Sequence, residues 1–535
     1  MNHSLLDQLP VVILHSLFTY LLVEEILFSL LNISPYLNKV IRLYPNHRLN
    51  FKSILRSNFD LICQYISPDQ VKILILSDEK DTSGQSELFL SHFQINQFIN
   101  LQTLILIQIE KKSLEIINLH LNKLHYLRSL FLNSEITIPL SLPLVNLRYL
   151  KLSQYSLDQL KNICFTTPQL KTLNVTVIHR TSKFEFQCQL DYLTRLVLQI
   201  VGFHVSMDEI EKFLNNFSHL KHLELHTKCY ADVVNGHRWK IVAKDLITLK
   251  FIFNIEVDSI EEILDTFRTS FWLNDKQWFV AYDNNHLFTI PCSMYKHVNE
   301  FFQPPKYTNI LENTIFYDHV RKLTLNFHLI KTSHRFINIT TLEIGYKYIS
   351  VEILSTIVNL IGVKNLTLNS SINKSKIKYL INNMPYLQHL SIDTLMTEIN
   401  YEYFENSGRN FADFIEKIKD LRFEQIRTLT ISEYHIIGDS YTIHQLCHLF
   451  PYIERLNVSI GQINNIIQLI NSFKYLSSVS FILKFLSNDE RKYYILKPES
   501  IIDRIRSSLM STFTYHSDDF CLHMWIKKEV SISNM

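Results

Sequence analysis

Glycine is scarce in this chain. Eight occur among 535 residues, and the closest two, Gly345 and Gly362, stand 17 positions apart. A phosphate-cradling loop or a dinucleotide fingerprint needs several glycines within a few residues, because the backbone must approach the anion closely. Both are excluded. There is no Gly-x-Ser-x-Gly and no His-Glu-x-x-His, so the motif-borne hydrolase chemistries have no support and no enzyme is expected. The seven cysteines (Cys63, Cys164, Cys188, Cys229, Cys292, Cys447 and Cys521) are scattered singly, without a Cys-x-x-Cys pair. No metal site or cofactor is therefore expected. The odd, unclustered count favours a reducing compartment, cytoplasmic or nuclear.

Charge of one sign is lacking too. Lys plus Arg number 53 and Asp plus Glu 51, for a net charge of +2. No bulk attraction to nucleic acid or to an anionic membrane follows. There is no run of five like charges, no Pro-rich tract and no Ser/Gly linker. Asn-x-Ser/Thr sequences at Asn32, Asn174, Asn216 and Asn365 are read as chance, since Asn174 and Asn365 fall in expected strands. The 26 Tyr and 35 Phe are expected to fill a core, because no basic stripe accompanies them as RNA stacking requires.

What the chain does have is repetition. A phrase of the form apolar-x-x-Leu-x-Leu occurs fifteen times, as in NLQTLIL from Asn100, NLRYLKL from Asn146, HLKHLEL from His219 and YIERLNV from Tyr452. Its first apolar positions are Val71, Leu101, Leu127, Leu147, Leu170, Leu193, Leu220, Leu246, Val320, Ile339, Val363, Leu387, Ile426, Ile453 and Leu476. Two intervals break the rhythm, 246 to 320 and 387 to 426. Alternation inside the phrase has the period of a strand. Apolar residues at helical spacing follow, as in Met207–Phe217, Val257–Phe267 and 464–473. Strand then helix, repeated, stacks the strands in parallel on a concave face with helices on the convex one. A doubly wound domain also alternates strands and helices, but units this short and numerous favour the stacked array.

These repeats resemble the leucine-rich-repeat family from about residue 70 to 500. The Asn or Cys that members often carry three residues after the Leu-x-Leu core is mostly replaced, by Glu79, Ile109, Glu135, Tyr155 and Ile178; Asn254 alone fits. The resemblance implies an α/β leucine-rich-repeat solenoid, a horseshoe whose inner face recognises a partner.

The segment 1–45 reads as three helices. Pro10 suits a helix start. Ile13, Leu14, Leu17, Phe18 and Leu21 recur at helical spacing; a second helix from Val23 carries Ile26, Leu27, Leu30 and Leu31; Pro35 opens a third with Leu37, Val40 and Ile41. A secretory signal with Val11–Val23 as its apolar core would need a basic leader and a small-residue cleavage site, whereas Asp7, Pro10 and His15 interrupt it. Glu24 and Glu25 cut the apolar run short of a membrane span. The pattern looks like an F-box. The matching residues are Leu9, Pro10, Ile13, Leu14, Leu17, Phe18, Tyr20, Leu21, Glu25, Ile26, Leu27, Leu30, Ile33, Ser34 and Leu37, while Val12 stands where members often have Glu. That resemblance implies docking on a Skp adaptor, and through it on a cullin ubiquitin ligase, by Leu9, Pro10, Ile13, Leu14, Leu17, Phe18, Leu21, Ile26, Leu27, Leu30, Ile33 and Leu37.

The expected domains are a three-helix unit at 1–45, a helical linker at 46–69 and the solenoid at 70–535, with an insertion at about 271–318. Within the insertion, Trp278–Tyr282, then Asp-Asn-Asn-His, then Leu287–Ile290 reads as a hairpin, and Gln303-Pro-Pro-Lys306 as a loop. Strand alternation aims Tyr149, Lys151, Arg195, His222, Glu224, His226, Lys250, Lys322, Asp393 and Arg455 at the concave face, as candidates for binding a protein target. The apolar first rows, Ile73, Ile75, Ile105, Ile107 and Phe131, suit either an interface or a surface covered by the N-terminal segment. His222-Leu-Glu-Leu-His226 places two histidines on one strand face, but about 13 Å apart, too far for one ion. The reading is a ligase substrate receptor. The alternatives are a repeat scaffold whose N-terminal helices merely cap it and an extracellular receptor, which would be cleaved and glycosylated.

Overall fold

The computed structural model describes residues 5–134, 143–178, 190–256, 259–290, 297–299, 307–309, 320–325, 335–345, 351–369, 372–393, 407–432, 435–483, 498–509, 511–518 and 521–528. The fold is α/β, with two large, mostly parallel sheets and many helices.

Three helices open the chain: α1 (Val11–Phe18), α2 (Val23–Leu30) and α3 (Pro35–Leu43). Pro10 occupies the N-cap of α1. Glu25 reaches back to the Leu22 backbone N–H and caps α2, and the Ser34 hydroxyl accepts from the Leu37 N–H at the start of α3. These helices do not form a core of their own. Leu14, Phe18, Ile26, Leu27 and Leu37 belong to the same cluster as Leu74, Leu104 and Leu130 of the strands beyond.

The linker expected to be helical holds a helix and also a strand. β1 (His47–Asn50) pairs in parallel with β2 (Val71–Ser77), and α4 (Arg56–Tyr65) connects them. A four-residue strand with His, Arg and Asn offers no alternating apolar signal; pairing and the burial of Leu49 hold it in place. Then come β3 (Thr103–Ile107), β4 (Ser129–Asn133), β5 (Tyr149–Tyr155), β6 (Thr172–Ile178), β7 (Arg195–Val205), β8 (His222–Cys229) and β9 (Thr248–Asn254). Each lies beside its predecessor, so the sheet grows in chain order. The Leu-x-Leu residues of each strand are buried, and the residues between them are half-buried or exposed.

The hairpin at the start of the insertion forms as expected: β10 (Phe279–Asp283) runs antiparallel to β11 (His286–Ile290). β11 also pairs with β9, so the hairpin extends the sheet. Asn284 and Asn285 carry the turn, with φ of 46° and 60°, the left-handed pair that a tight two-residue hairpin needs. Gln303–Lys306 lies outside the described residues. β12 (His297–Asn299) starts the second sheet and β13 (Tyr307–Thr308) ends the first. The second sheet continues through β14 (Lys322–Leu325), β15 (Thr341–Ile344), β16 (Asn365–Asn369), β17 (His389–Asp393), β18 (Thr428–Ile431), β20 (Arg455–Ile460) and β21 (Ser478–Leu483). β19 (Ile436–Ile437) pairs with β20 off this path.

The last two strands leave the parallel pattern. β22 (Thr512–Ser517) and β23 (Cys521–Lys527) form an antiparallel hairpin, and β23 pairs with β21. This hairpin meets the other end of the molecule. Trp525 is fully buried in the first core cluster, its ring 5.2 Å from that of Phe59. At the far junction, Ala281, Phe288 and Ile290 of the first sheet belong to the second core cluster. The two sheets therefore touch at both ends, and the strand array closes on itself.

Candidate functional site

Two surfaces hold most of the expected site residues. The first is the helical unit. α1 sits between core and solvent: Leu14 and Phe18 are buried, while Val12 is 73% exposed, Ile13 48%, Leu17 48% and Tyr20 85%. Pro10 is exposed beside them, and Ile33 and Phe28 are exposed on the neighbouring segments. An aromatic cluster anchors the buried side. Phe18 meets Tyr44 edge to face at 5.4 Å, and Tyr44 meets His47 at 5.2 Å. His15 lies 3.1 Å from the Val40 carbonyl oxygen through Nε2.

This geometry divides the expected docking set. Leu14, Phe18, Ile26, Leu27 and Leu37 are core residues, so no partner can touch them in the folded chain. Their regular spacing was legible, but spacing alone does not separate core from contact, since an amphipathic helix packed on a further domain needs apolar residues on both sides. Leu9, Leu21 and Leu30 are half-buried against the core. Pro10, Ile13, Leu17 and Ile33 face outward. Val12 and Tyr20, outside the expected docking set, are the most exposed apolar side chains of the stripe.

The second surface is the strand face opposite the Leu-x-Leu core. Arg195, His222, Glu224, His226 and Lys250 come together there on β7, β8 and β9, because register sets His222 beside Arg195 and Lys250 beside Glu224. Glu224 Oε1 lies 3.2 Å from His226 Nε2. That hydrogen bond, with Lys250 and Arg195 nearby, holds the carboxyl below its ordinary pKa. His222 Nδ1 is 2.9 Å from the Thr248 hydroxyl. Each histidine thus has its own partner, and the cluster makes a patch of mixed charge.

The other candidates lie apart. On β5, Tyr149 stacks on Phe131 at 4.6 Å, and Lys151 is exposed two positions along. Lys322, Asp393 and Arg455 are on the second sheet. Lys322 pairs with Glu343 at 2.6 Å. Arg455 is engaged within the chain: its guanidinium donates to the Ser53 carbonyl and lies 3.5 Å from Asp81. It bridges the two ends of the array, a role that strand alternation could not reveal because the partner is some four hundred residues away in sequence.

Among the described residues no helix is long and apolar enough to cross a membrane. No protein-family model matches the chain, and no curated protein matches it. Among solved structures it is similar to a chain of the yeast Rad7–Elc1 complex, at 12% identity over 84% of this chain and 88% of that one, with a TM-score of 0.20. A likeness that loose carries no argument about fold or function.

Proposed function

We propose that this chain is a non-catalytic substrate receptor of a Skp–cullin–F-box ubiquitin ligase. In this reading the N-terminal helices are an F-box, the strand array is a leucine-rich-repeat solenoid, and the polar strand face holds a protein target. The observation that carries it is the apolar stripe of Val12, Ile13 and Leu17, exposed on a helix whose opposite side is anchored in the core, and continued by Tyr20 in the turn that follows it. Such a stripe costs hydration free energy unless a partner covers it. The patch of Arg195, Glu224, His226 and Lys250 supports the second half, since rim-type charges of both signs give orientation and specificity to a protein contact.

The full chain is the right reagent, because the helices share their core with the strands. Co-purification with a purified Skp adaptor is expected to give a one-to-one complex. The double variant Ile13→Asp/Leu17→Asp is expected to lose it while keeping the wild-type circular dichroism, because both side chains point outward. A folded wild-type chain that forms no complex overturns the ligase reading. That result would favour a repeat scaffold in which the helices act as a cap, the arrangement suggested by the packing of α2 on β1 and α4.

A further inference from the structure

The closing hairpin carries a cluster that no Cys-x-x-Cys pattern announces. Asp518, Cys521 and His523 place one ligand atom each within 4.8 Å of one another. Asp518 follows the end of β22, and Cys521 and His523 stand two positions apart at the start of β23. Two hydrogen bonds join Asp518 to Cys521: the Cys521 N–H donates to Asp518 Oδ1 at 2.8 Å, and the Asp518 N–H donates to the Cys521 carbonyl at 3.1 Å.

His523 is prepared as a ligand. It is 3% exposed, and its Nδ1 lies 2.7 Å from the Ser480 hydroxyl on β21. With Nδ1–H donating to that oxygen, the Nε2 lone pair is left on the Asp518 side, 3.6 Å from Oδ2. This is the outer-shell arrangement that orients metal-ligating histidines. Tetrahedral zinc sets its ligand atoms about 3.3–3.8 Å apart, so modest side-chain rotations close the cluster around an ion. Thiolate, imidazole and carboxylate together suit a zinc-class cation rather than calcium or magnesium. Asp518 is half exposed, which leaves room for water as the fourth ligand. The neighbouring charges are mixed. Glu110 is 3.5 Å from His516, whose ring stacks on His523 at 6.5 Å.

We propose that Asp518, Cys521 and His523 bind one zinc-class divalent cation at the seam where the strand array closes. Binding takes the lone pair of His523 Nε2 and displaces the Cys521 thiol proton to solvent. The ion clips the end of β22 to the start of β23, the strand that carries Trp525 into the first core.

Cobalt(II) titration of the reduced, metal-free full chain tests this. The expected result is a one-equivalent rise of visible d–d absorption with a thiolate-to-cobalt charge-transfer band, both displaced by zinc. Cys521→Ser is expected to abolish the charge-transfer band, and Asp518→Asn, a change at an exposed position, to weaken binding at least about tenfold. No cobalt absorption by the folded wild-type chain overturns the proposal. So does a charge-transfer band that survives Cys521→Ser, which would place the ion at another cysteine. Should Cys521→Ser fail to fold, an unchanged affinity in Asp518→Asn overturns it.

Discussion

Trp525 is the side chain on which the two ends of the strand array meet. Its indole N–H donates to the Ile54 carbonyl at 3.0 Å, and the Arg56 guanidinium lies 5.0 Å from its ring centroid. Asp60 takes both Arg56 at 3.2 Å and Lys527 at 2.7 Å. Truncating a buried tryptophan costs about 3–5 kcal/mol. Trp525→Ala is therefore expected to lower stability by that amount, and to raise hydrogen exchange over 512–527 well before it does so in β5 to β8. Uniform exchange across the chain would show that the seam has no separate stability. His47 is the second telling residue. Burial pushes its pKa down to about 4, and its Nδ1 has no hydrogen-bond partner among the described residues. A folded value below the unfolded 6.5 means that the unfolded chain binds the extra proton, so stability is full above pH 6.5 and falls as pH drops toward 4. The loss is on the order of 3 kcal/mol. His47→Phe is expected to flatten that part of the pH–stability curve, as measured by chemical denaturation at pH 7.5 and 4.5; an unchanged slope would place the titration elsewhere.

At the scale of elements, the hairpin β10–β11 depends on Asn284 and Asn285 at positive φ. Asn284→Val is expected to cost about 1–2 kcal/mol, because a β-branched side chain resists the left-handed region, whereas Asn284→Gly is expected to be tolerated. Thermal denaturation distinguishes the two, and equal costs would mean that the Asn284 side chain, not its backbone, holds the turn. Much at this scale was legible. The phrase positions Leu101, Leu170, Leu246 and Leu387 each stand two residues before a strand, at Thr103, Thr172, Thr248 and His389, since the phrase contains both the buried approach and the alternating core. α1, α2 and α3 began where Pro10, Val23 and Pro35 indicated. β1 was not legible, because its order comes from pairing with β2 and not from its own residues. The site was readable in part. Register carried Arg195, Glu224 and Lys250 into one patch, as alternation implied, but which apolar residues of α1 face solvent depended on where the strand array sits.

Closure belongs to the whole molecule, and no local pattern encodes it. Its contacts join residues hundreds of positions apart: Thr514 to Ser83, Arg455 to Ser53 and Asp81, and His516 to Glu110. Each is a modest polar contact around the buried Trp525. The His516–Glu110 pair makes closure depend on pH. Its hydrogen bond to Glu110 raises the His516 pKa, and the same bond lowers that of Glu110. The histidine contribution is full below pH 6.5 and is lost as pH rises through the raised folded value. The carboxylate contribution is present above 4.5 and is lost as pH falls through the lowered one. Together they stabilise closure most between about pH 4.5 and 6.5. His523 opposes this, because its burial disfavours protonation over the same range, so the wild-type profile alone mixes two signs. Comparing wild type with Glu110→Gln isolates the pair. The difference in hydrogen exchange at 512–517 is expected to be largest near pH 5.5 and to shrink as pH rises past the raised value of His516. Both side chains are partly exposed, so added salt is expected to shrink it as well. A difference that is constant with pH would mean that Glu110 acts there through shape rather than charge, and that closure rests on Trp525 and its neighbours alone.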